Sequence, residues 1–299
     1  MSHNLIDTIT GALAADAAAM GLHWLYDQNQ IQSLEATGDI LFRPADANVY
    51  IDRKGFFAQA GKLAGELSHY GESMRLAGEL GAGGQFTAAA YQQAFFAAFG
   101  PCGTFTGYAD RPTKALIARI ITDGDSMDAV SGASDNQMPG LCAVPGLFAH
   151  GYEWSDIEAA VLVISTHEDA LAGARVLFDC LSSLADGASL SDALKKGCDG
   201  IDHPLKKRLQ EAMGMSSYQP LQAAEHFGSA CSVVQALPVV WHLLTHAADF
   251  ESAVRDNIRC GGDNCGRAVA LGAIAGLSMG VPEDMLKKLV PASLAGIKA

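Results

Sequence analysis

Helical spacing of apolar residues most strongly constrains the fold of this 299-residue chain. In the stretch DFESAVRDNIR, apolar residues recur at intervals of three and four, namely Phe250, Ala253, Val254 and Ile258. Asp249 before them is a preferred helix N-cap. Strand-type alternation and hairpin dipeptides between alternating segments are missing from the sequence. These patterns predict an all-α fold, a single compact globule of about a dozen helices over residues 1–299.

Capping residues predict further helix boundaries. Ser155 and Glu158 stand at capping-box spacing before the apolar run of SDIEAAVLVIS, which predicts a helix start at that serine. Lysines precede Gly197 in SDALKKG, which predicts that a helix ends at this glycine. Pro238 interrupts the long apolar stretch CSVVQALPVVWHLLTHAA and predicts a kink in a continuing helix.

The charge balance limits the partners of the chain. Its 33 acidic residues outnumber 20 basic ones, giving a net charge of −13, which disfavours nucleic acid and anionic membranes. Asp7 and Asp16 interrupt the apolar N-terminal stretch, which lacks the basic start of a secretion signal. The seven cysteines are scattered, as expected for reduced thiols. We therefore expect a cytoplasmic protein that acts without nucleic acid or membrane.

Two polar stretches lie where helices are expected to begin. In LSHYGESMRLAGEL, we expect a turn before an amphipathic helix, and this turn contains His69, Tyr70, Glu72 and Ser73. In STHEDALAGARV, His167 precedes two acidic residues at a helix entrance. Each stretch allows two interpretations. The acids can simply favour the positive end of the helix dipole, or they can contribute to a binding site.

The stretch CGGDNCGRAVALGAIAGLSMG presents the same choice. Asp263 and Asn264 follow two glycines and precede an apolar helix of small residues. They can cap that helix, or they can form an anion or metal pocket, because glycine lets the backbone approach a ligand closely. A binuclear site for hard metal ions requires oxygen ligands that converge from distant segments. Acidic residues at several helix starts are compatible with that geometry.

Taken together, these stretches resemble the ADP-ribosylglycohydrolase family, and in particular its J-type crystallin branch. Asp16 of GALAADAAAMGLHWLYD matches the aspartate of the family's Gly-Asp-Ala-Leu-Gly motif. HYGES stands where the hydrolases have Ser-Asp-Asp-Thr, and GGDNCG stands where they have Gly-Gly-Asp-Thr-Asp-Thr. FGPCGTFTGYADRPTKALI and SDNQMPGLCAVPGLFAH are typical of the crystallin-like branch. The resemblance covers nearly the whole chain and implies an all-helical fold.

In that family the two acidic motifs hold two magnesium ions, so the resemblance implies a metal site here. The positions that match the motifs are Gly71, Glu72, Ser73, Asp263, Cys265 and Gly266. Four carboxylates thus become two, and a thiol is a poor ligand for a hard ion such as Mg²⁺. The resemblance therefore implies a depleted magnesium site, with one ion rather than two, held by Glu72, Ser73 and Asp263.

Three functions follow as hypotheses. The first is a hydrolase acting on an ADP-ribosylated or other small ribosyl glycoside, with Glu72 and Asp263 as its catalytic residues. The expected substrate-binding residues are His69, Ser73, Tyr108, Asn136, His167, Asn264 and Cys265. The second is a catalytically inactive, crystallin-like structural or ligand-binding protein. The third is altered chemistry at Cys265, because a helix N-terminus lowers the pKa of a thiol. The alternative for this cysteine is a small buried filler.

Overall fold

The computed structural model describes residues 4–123 and 131–297, and this part of the chain is helical. Its α-helices are α1 (Ile6–Ala19), α2 (Gln28–Thr37), α3 (His69–Ala82), α4 (Ala88–Phe99), α5 (Arg111–Asp123), α6 (Ala143–Phe148), α7 (Trp154–Ile164), α8 (Glu168–Ala185), α9 (Leu190–Asp199), α10 (Leu205–Gly214), α11 (Pro220–Phe227), α12 (Val233–His246), α13 (Phe250–Arg259), α14 (Asn264–Met279) and α15 (Glu283–Leu286). Within the same ranges, four short 3₁₀ helices are Met20–Leu22, Ala47–Tyr50, Met138–Leu141 and Pro291–Leu294.

The all-α prediction is confirmed. Within the described ranges, β-type pairing is limited to three isolated bridges. None of the helices there combines the length and apolar character needed to cross a lipid bilayer.

Helices α1 and α14 form the centre of the core, packed antiparallel with glycines at their contact. A Cβ atom added at Gly11 would lie 2.4 Å from the carbonyl oxygen of Gly272. One added at Gly276 would lie 2.2 Å from the carbonyl oxygen of Asp7. The small residues are therefore required for the two backbones to approach this closely. The pairing sets the N-terminus of α14 beside the C-terminus of α1.

The start of α3 is anchored to α1 by Asp16. The backbone N–H of Ser68 donates to Asp16 Oδ2 at 2.8 Å, and the Ser68 hydroxyl donates to Oδ1 at 2.5 Å. Ser68 also caps α3 by accepting from the N–H of Tyr70. A side chain at Gly71 would collide with Asp16, since its Cβ would lie 2.2 Å from Oδ2. This explains why a glycine stands at that position.

The capping patterns predict some helix boundaries and miss others. Asp249 caps α13 in a reciprocal capping box, as predicted. The predicted start at Ser155 is wrong, because α7 begins at Trp154 and its N-cap is Glu153. The predicted end at Gly197 is also wrong. This glycine lies inside α9, where a Cβ would lie 2.8 Å from a backbone oxygen of α8, so it serves packing rather than termination.

The expected turn before α3 is likewise wrong. His69, Glu72 and Ser73 lie inside the first turn and a half of this helix, because Ser68 rather than a later residue forms the cap. Helical geometry therefore decides which of these side chains faces the core.

Candidate functional site

Asp263 forms the centre of a buried polar cluster at the start of α14. Its side chain is fully buried, and it occupies the N-cap position without capping the helix by a hydrogen bond within the described residues. The Tyr70 hydroxyl donates to Asp263 Oδ2 at 3.2 Å. The other oxygen, Oδ1, lies 3.7 Å from Nε2 of His23 and has no hydrogen-bond partner among residues 4–123 and 131–297. One oxygen of the carboxylate is thus hydrogen-bonded, and the other could still accept from a polar group.

Two glycines position this carboxylate. Gly261 and Gly262 have φ values of 63° and 65°, in the left-handed region that favours glycine. A Cβ at Gly262 would also lie 2.3 Å from the carbonyl oxygen of Ser229. The Gly262 carbonyl accepts from the N–H of Trp24, and the Asp263 N–H donates to Ser229 at 2.9 Å. The loop therefore ties three distant segments together around Asp263.

A buried arginine stabilises the loop from beneath. Arg267 donates from Nε to Asn257 Oδ1 at 2.7 Å and from Nη2 to the carbonyl oxygens of Asn257 and Gly261, at 3.0 and 2.5 Å. Burial raises the pKa of Asp263, and the positive charge of Arg267 opposes this rise. Arg267 thus both fixes the loop and supplies a counter-charge.

Asn264 fixes the ring of His23. The Asn264 amide nitrogen donates to the Leu22 carbonyl at 3.1 Å, so its oxygen must accept from His23 Nδ1, which lies 3.2 Å away. This assigns the proton of a neutral His23 to Nδ1 and leaves the lone pair of Nε2 facing Asp263. Burial, followed by the nearby charge of His69, lowers the pKa of His23 well below its usual range.

A second imidazole lines the same cluster. Nε2 of His69 lies 3.2 Å from Oδ2 of Asp110, and both side chains are buried. The N–H of Thr113 donates to the same carboxylate at 2.7 Å, which places Asp110 at the start of α5. Burial raises the pKa of Asp110, but the hydrogen bonding and charge of His69 together with Thr113 outweigh it, and the pKa is lowered. The pair joins α3 to α5 beside Tyr70.

Aromatic rings separate Asp263 from solvent. The Trp24 ring stacks on His23 with their centroids 4.6 Å apart. Trp24 also contacts Tyr108 at 5.0 Å and Phe56 at 5.8 Å. Phe56 is 56% exposed, whereas Asp263 is completely buried. From inside to outside the order is therefore Asp263, His23, Trp24 and Phe56. We call Trp24, Phe56 and Tyr108 the aromatic rim.

Glu72 lies on another face of α3. Its carboxylate accepts from Nε and Nη2 of Arg75 at 3.1 and 2.7 Å. Residues two apart in a helix differ by about 200° in direction, so Glu72 faces away from the side on which Tyr70 reaches Asp263. The structure therefore does not bring Glu72 and Asp263 together.

The residues present do not fit a binuclear magnesium centre. Ser73 uses its hydroxyl to donate to the His69 carbonyl at 2.8 Å. A side chain at Gly266 would collide with Asp263, since its Cβ would lie 2.1 Å from Oδ2. Across residues 4–123 and 131–297, no three His, Cys, Asp or Glu side chains are arranged to hold a metal ion. Two Mg²⁺ ions require more converging oxygens than this cluster offers.

Cys265 is a packing residue rather than an exposed thiol. It is fully buried, and its Sγ lies 3.7 Å from the Asp16 carbonyl oxygen. Burial, followed by the charges of Asp16 and Asp263, raises its pKa well above the usual range. The protonated thiol is a weak nucleophile, so the structure favours the filler interpretation over altered chemistry.

Asn136 and His167 belong to a second, half-buried cluster. Nδ2 of Asn136 donates to Asp169 Oδ2 and to Ser232 Oγ, both at 3.2 Å. His167 caps α8 by accepting from the N–H of Asp169 at 3.1 Å, and Nε2 of His203 lies 3.3 Å from Asp169 Oδ1. Residues 229–232 run between this cluster and the Asp263 loop and so connect the two clusters.

Some residues of the two clusters are among the predicted site residues, and others are not. His69, Tyr108 and Asn264 contact the buried cluster that contains Asp263. The missed members of this cluster are His23, Trp24, Tyr70 and Asp110, and the missed members of the second cluster are Asp169 and His203. The histidine and tryptophan belong to GLHWLYD, which helped to carry the family resemblance, so that motif contained a usable signal.

The fold and this cluster can be compared with known proteins. The helical globule has the fold of a solved structure titled "ADP-ribosylglycohydrolase-related protein complex", with a TM-score of 0.69 at 14% identity, covering 99% of this chain and 97% of that one. A family model described as ADP-ribosylglycohydrolase matches residues 2–296, and the chain belongs to this family. It is also 25% identical over 280 residues to Crystallin J1A of Tripedalia cystophora, covering 89% of this chain and 84% of that protein.

Proposed function

We propose that this chain is a non-hydrolytic member of its family that binds a small ribosyl-containing ligand on the aromatic rim. The order of the rings carries this proposal. His23 and Trp24 lie between the buried carboxylate of Asp263 and the exposed ring of Phe56. A ligand that approaches from solvent therefore meets aromatic surface before any carboxylate. Similarity to a crystallin is compatible with a role other than hydrolysis.

The rim suits a ligand with a planar or apolar face and a negative charge. Exposed and half-exposed rings stack on nucleobases and on the apolar face of a sugar. Nζ of Lys114 lies 4.6 Å from the centroid of the Tyr108 ring. Lys114 forms no ion pair with a carboxylate among the described residues, so it is available to a phosphate. ADP-ribose contains a nucleobase, sugar rings and phosphates. We expect it to bind with Asn136 and His167 near its polar groups.

We expect this binding to be independent of magnesium. Asp263 lies beside Tyr70, whereas Glu72 pairs with Arg75 on another face of α3, so the two carboxylates are not presented to a shared ion. In this proposal Asp263 stabilises the junction of α3 and α14 rather than activating a nucleophile. Glu72 pairs with Arg75 and Ser73 donates to the His69 carbonyl, so we do not expect either side chain to contact the ligand.

Calorimetric titration of the protein with ADP-ribose tests the proposal. We expect the same affinity in excess Mg²⁺ and in excess chelator. Phe56→Ala should weaken binding about 5- to 150-fold, because one stacked base contributes about 1–3 kcal/mol. Ile51→Ala is the matched control, since Ile51 is an exposed apolar residue of the same inter-helix segment. Binding that requires Mg²⁺, or that Phe56→Ala leaves intact, would contradict the proposal.

Hydrolysis is the second candidate function, and one observation favours it. Oδ1 of Asp263 and Nε2 of His23 face each other at 3.7 Å, and both lack hydrogen-bond partners among the described residues. If Trp24 moves, a leaving group can reach a carboxyl whose raised pKa suits proton donation. Release of ADP-ribose from a modified peptide should then fall at least about 100-fold in Asp263→Asn and stay unchanged in Glu72→Gln. Absence of any release by the unmodified chain excludes this candidate.

A further inference from the structure

A polar cavity lies beside the Asp263 loop, on the other side of Gly262 and Ser229. Its volume is about 300 Å³, and Tyr26, Gln28, Lys54, Glu225 and Ser229 are among its lining residues. We propose that this cavity binds a small zwitterion of amino-acid size, with its carboxylate toward Lys54 and its ammonium group toward Glu225. The inference does not depend on the ligand of the aromatic rim.

The charges of the cavity carry the inference. Lys54 comes from the segment before α3 and Glu225 from α11, and both side chains line this one space. They do not pair with each other or with another charged group of the described residues, although surface ion pairs are frequent elsewhere in the molecule. Both side chains are exposed to solvent and line one open cavity, so both are accessible to a ligand that carries an anionic and a cationic group.

The neutral residues complete this arrangement. The Tyr26 ring forms a wall under Lys54, whose Nζ lies 5.9 Å from its centroid. Gln28 donates from Nε2 to the Cys260 carbonyl at 3.0 Å, which leaves the amide oxygen as an acceptor. The Ser229 hydroxyl has no hydrogen-bond partner among the described residues. These groups supply an acceptor for an ammonium group and a donor for a carboxylate.

The size of the cavity restricts the ligand. About 300 Å³ is at the lower end of the range for small-molecule sites. A nucleotide would extend beyond a space of this size, and an ion with one charge leaves either Lys54 or Glu225 without a partner. A free α-amino acid satisfies both side chains in one small molecule.

The cavity also shares a wall with the Asp263 loop. The Ser229 carbonyl accepts from the N–H of Asp263, and a Cβ at Gly262 would lie 2.8 Å from the ring of Tyr26. The two sites are thus adjacent but are separated by backbone. Binding in one can therefore be measured while the other is left unaltered.

Titration of the full chain with L-alanine and L-glutamine, followed by calorimetry, tests the inference. Acetate and ethylammonium serve as probes with one charge each. We expect saturable binding of the amino acids in the millimolar range and at least about tenfold weaker binding of both single-charge probes. Lys54→Gln and Glu225→Gln should each weaken amino-acid binding about tenfold. The double exchange Lys54→Glu, Glu225→Lys should restore it, because the ligand can bind in the reverse orientation.

Lys195→Gln is the matched control, because Lys195 lines a different cavity and should leave binding unchanged. Phe56→Ala should also leave amino-acid binding unchanged, which separates this site from the aromatic rim. The inference fails if neither amino acid binds saturably at about 10 mM. It also fails if single-charge probes bind equally well, or if both neutral variants retain full affinity.

Discussion

The starts of α14 and α3 use polar residues in opposite ways. At α14 the acidic residue of the motif, Asp263, points inward and is held by Tyr70. At α3 the acidic residue, Glu72, turns toward Arg75 and away from that cluster. The side chains that α3 does present to the cluster are aromatic, His69 and Tyr70. Two motifs that match one family thus differ in whether their carboxylate reaches the site.

The start of a helix therefore fixes the direction of its side chains as well as their position. Asp263 is oriented by its own neighbours, since Gly261 and Gly262 adopt left-handed conformations immediately before it. Glu72 is oriented by a residue far away, because Asp16 anchors the cap at Ser68 and so sets the rotation of α3. A shift of one residue rotates a helical side chain by about 100°, enough to move it to another face.

Removal of Arg267, which supports the start of α14, should have the largest effect on stability. Arg267→Ala leaves Asp263 without its counter-charge and leaves the acceptors on Asn257 and Gly261 unpaired in the core. We expect a loss of about 3–5 kcal/mol in the free energy of unfolding, measured by urea denaturation. Arg255→Ala, which removes ion pairs near the surface, should cost about 1 kcal/mol or less. Equal losses in the two variants would show that Arg267 is not the support of this loop.

Protonation of Asp16 should reveal the anchor of α3. Burial raises its pKa from 3.8 to about 6, although hydrogen bonds from Ser68 oppose the rise. Because the folded state holds the proton more tightly, this contribution to stability is complete below about pH 4 and is lost as the pH rises through about 6. Because one pKa unit corresponds to about 1.36 kcal/mol, the stability lost between these two pH values amounts to roughly 3 kcal/mol.

Urea denaturation across that pH window measures the effect of Asp16, and Asp16→Asn should flatten the slope. The effect of His23 on the pH dependence of stability has the opposite sign. Its pKa is lowered in the folded state, so the unfolded state takes up the proton more readily and stability falls as the pH drops below about 6.5. A slope that Asp16→Asn does not change would contradict the assignment.

A side chain at Gly71 tests whether the contact with Asp16 sets the rotation of α3. The Cβ of Gly71→Ala would lie 2.2 Å from Asp16 Oδ2, so the helix or the carboxylate must shift. We expect a loss of about 1–3 kcal/mol in thermal or chemical denaturation. Gly214→Ala is the control at an open helical position, with nothing within 4 Å of the added Cβ. It should be neutral or slightly stabilising, and equal costs at both positions would refute the close contact.

Neutralising Glu72 should have the smallest effect. Glu72→Gln weakens a partly buried ion pair with Arg75 and leaves the Asp263 cluster intact. We expect about 1 kcal/mol or less in stability and no change in ADP-ribose affinity. A large loss of affinity in calorimetry would mean that Glu72 contacts the ligand after all.

The sequence predicts more of the fold than of the site. Apolar spacing and the cap at Asp249 are local signals, and they predict α13 correctly. The motif at Asp263 is also local, because its two glycines orient it. The direction of Glu72 and the ring stack of His23 and Trp24 depend on contacts between distant segments, such as Trp24 N–H with the Gly262 carbonyl. Spacing along the chain carries no information about those contacts.

Anomalous scattering from a crystal soaked in Mn²⁺, as a substitute for Mg²⁺, shows directly whether Glu72 and Asp263 can bind one ion. Glu72 points away from the side of α3 on which Asp263 lies, and we therefore infer that the two carboxylates cannot share an ion. We expect no peak within about 2.3 Å of oxygens from both carboxylates, the distance that coordination would require. A peak bound by both Glu72 and Asp263 would contradict it.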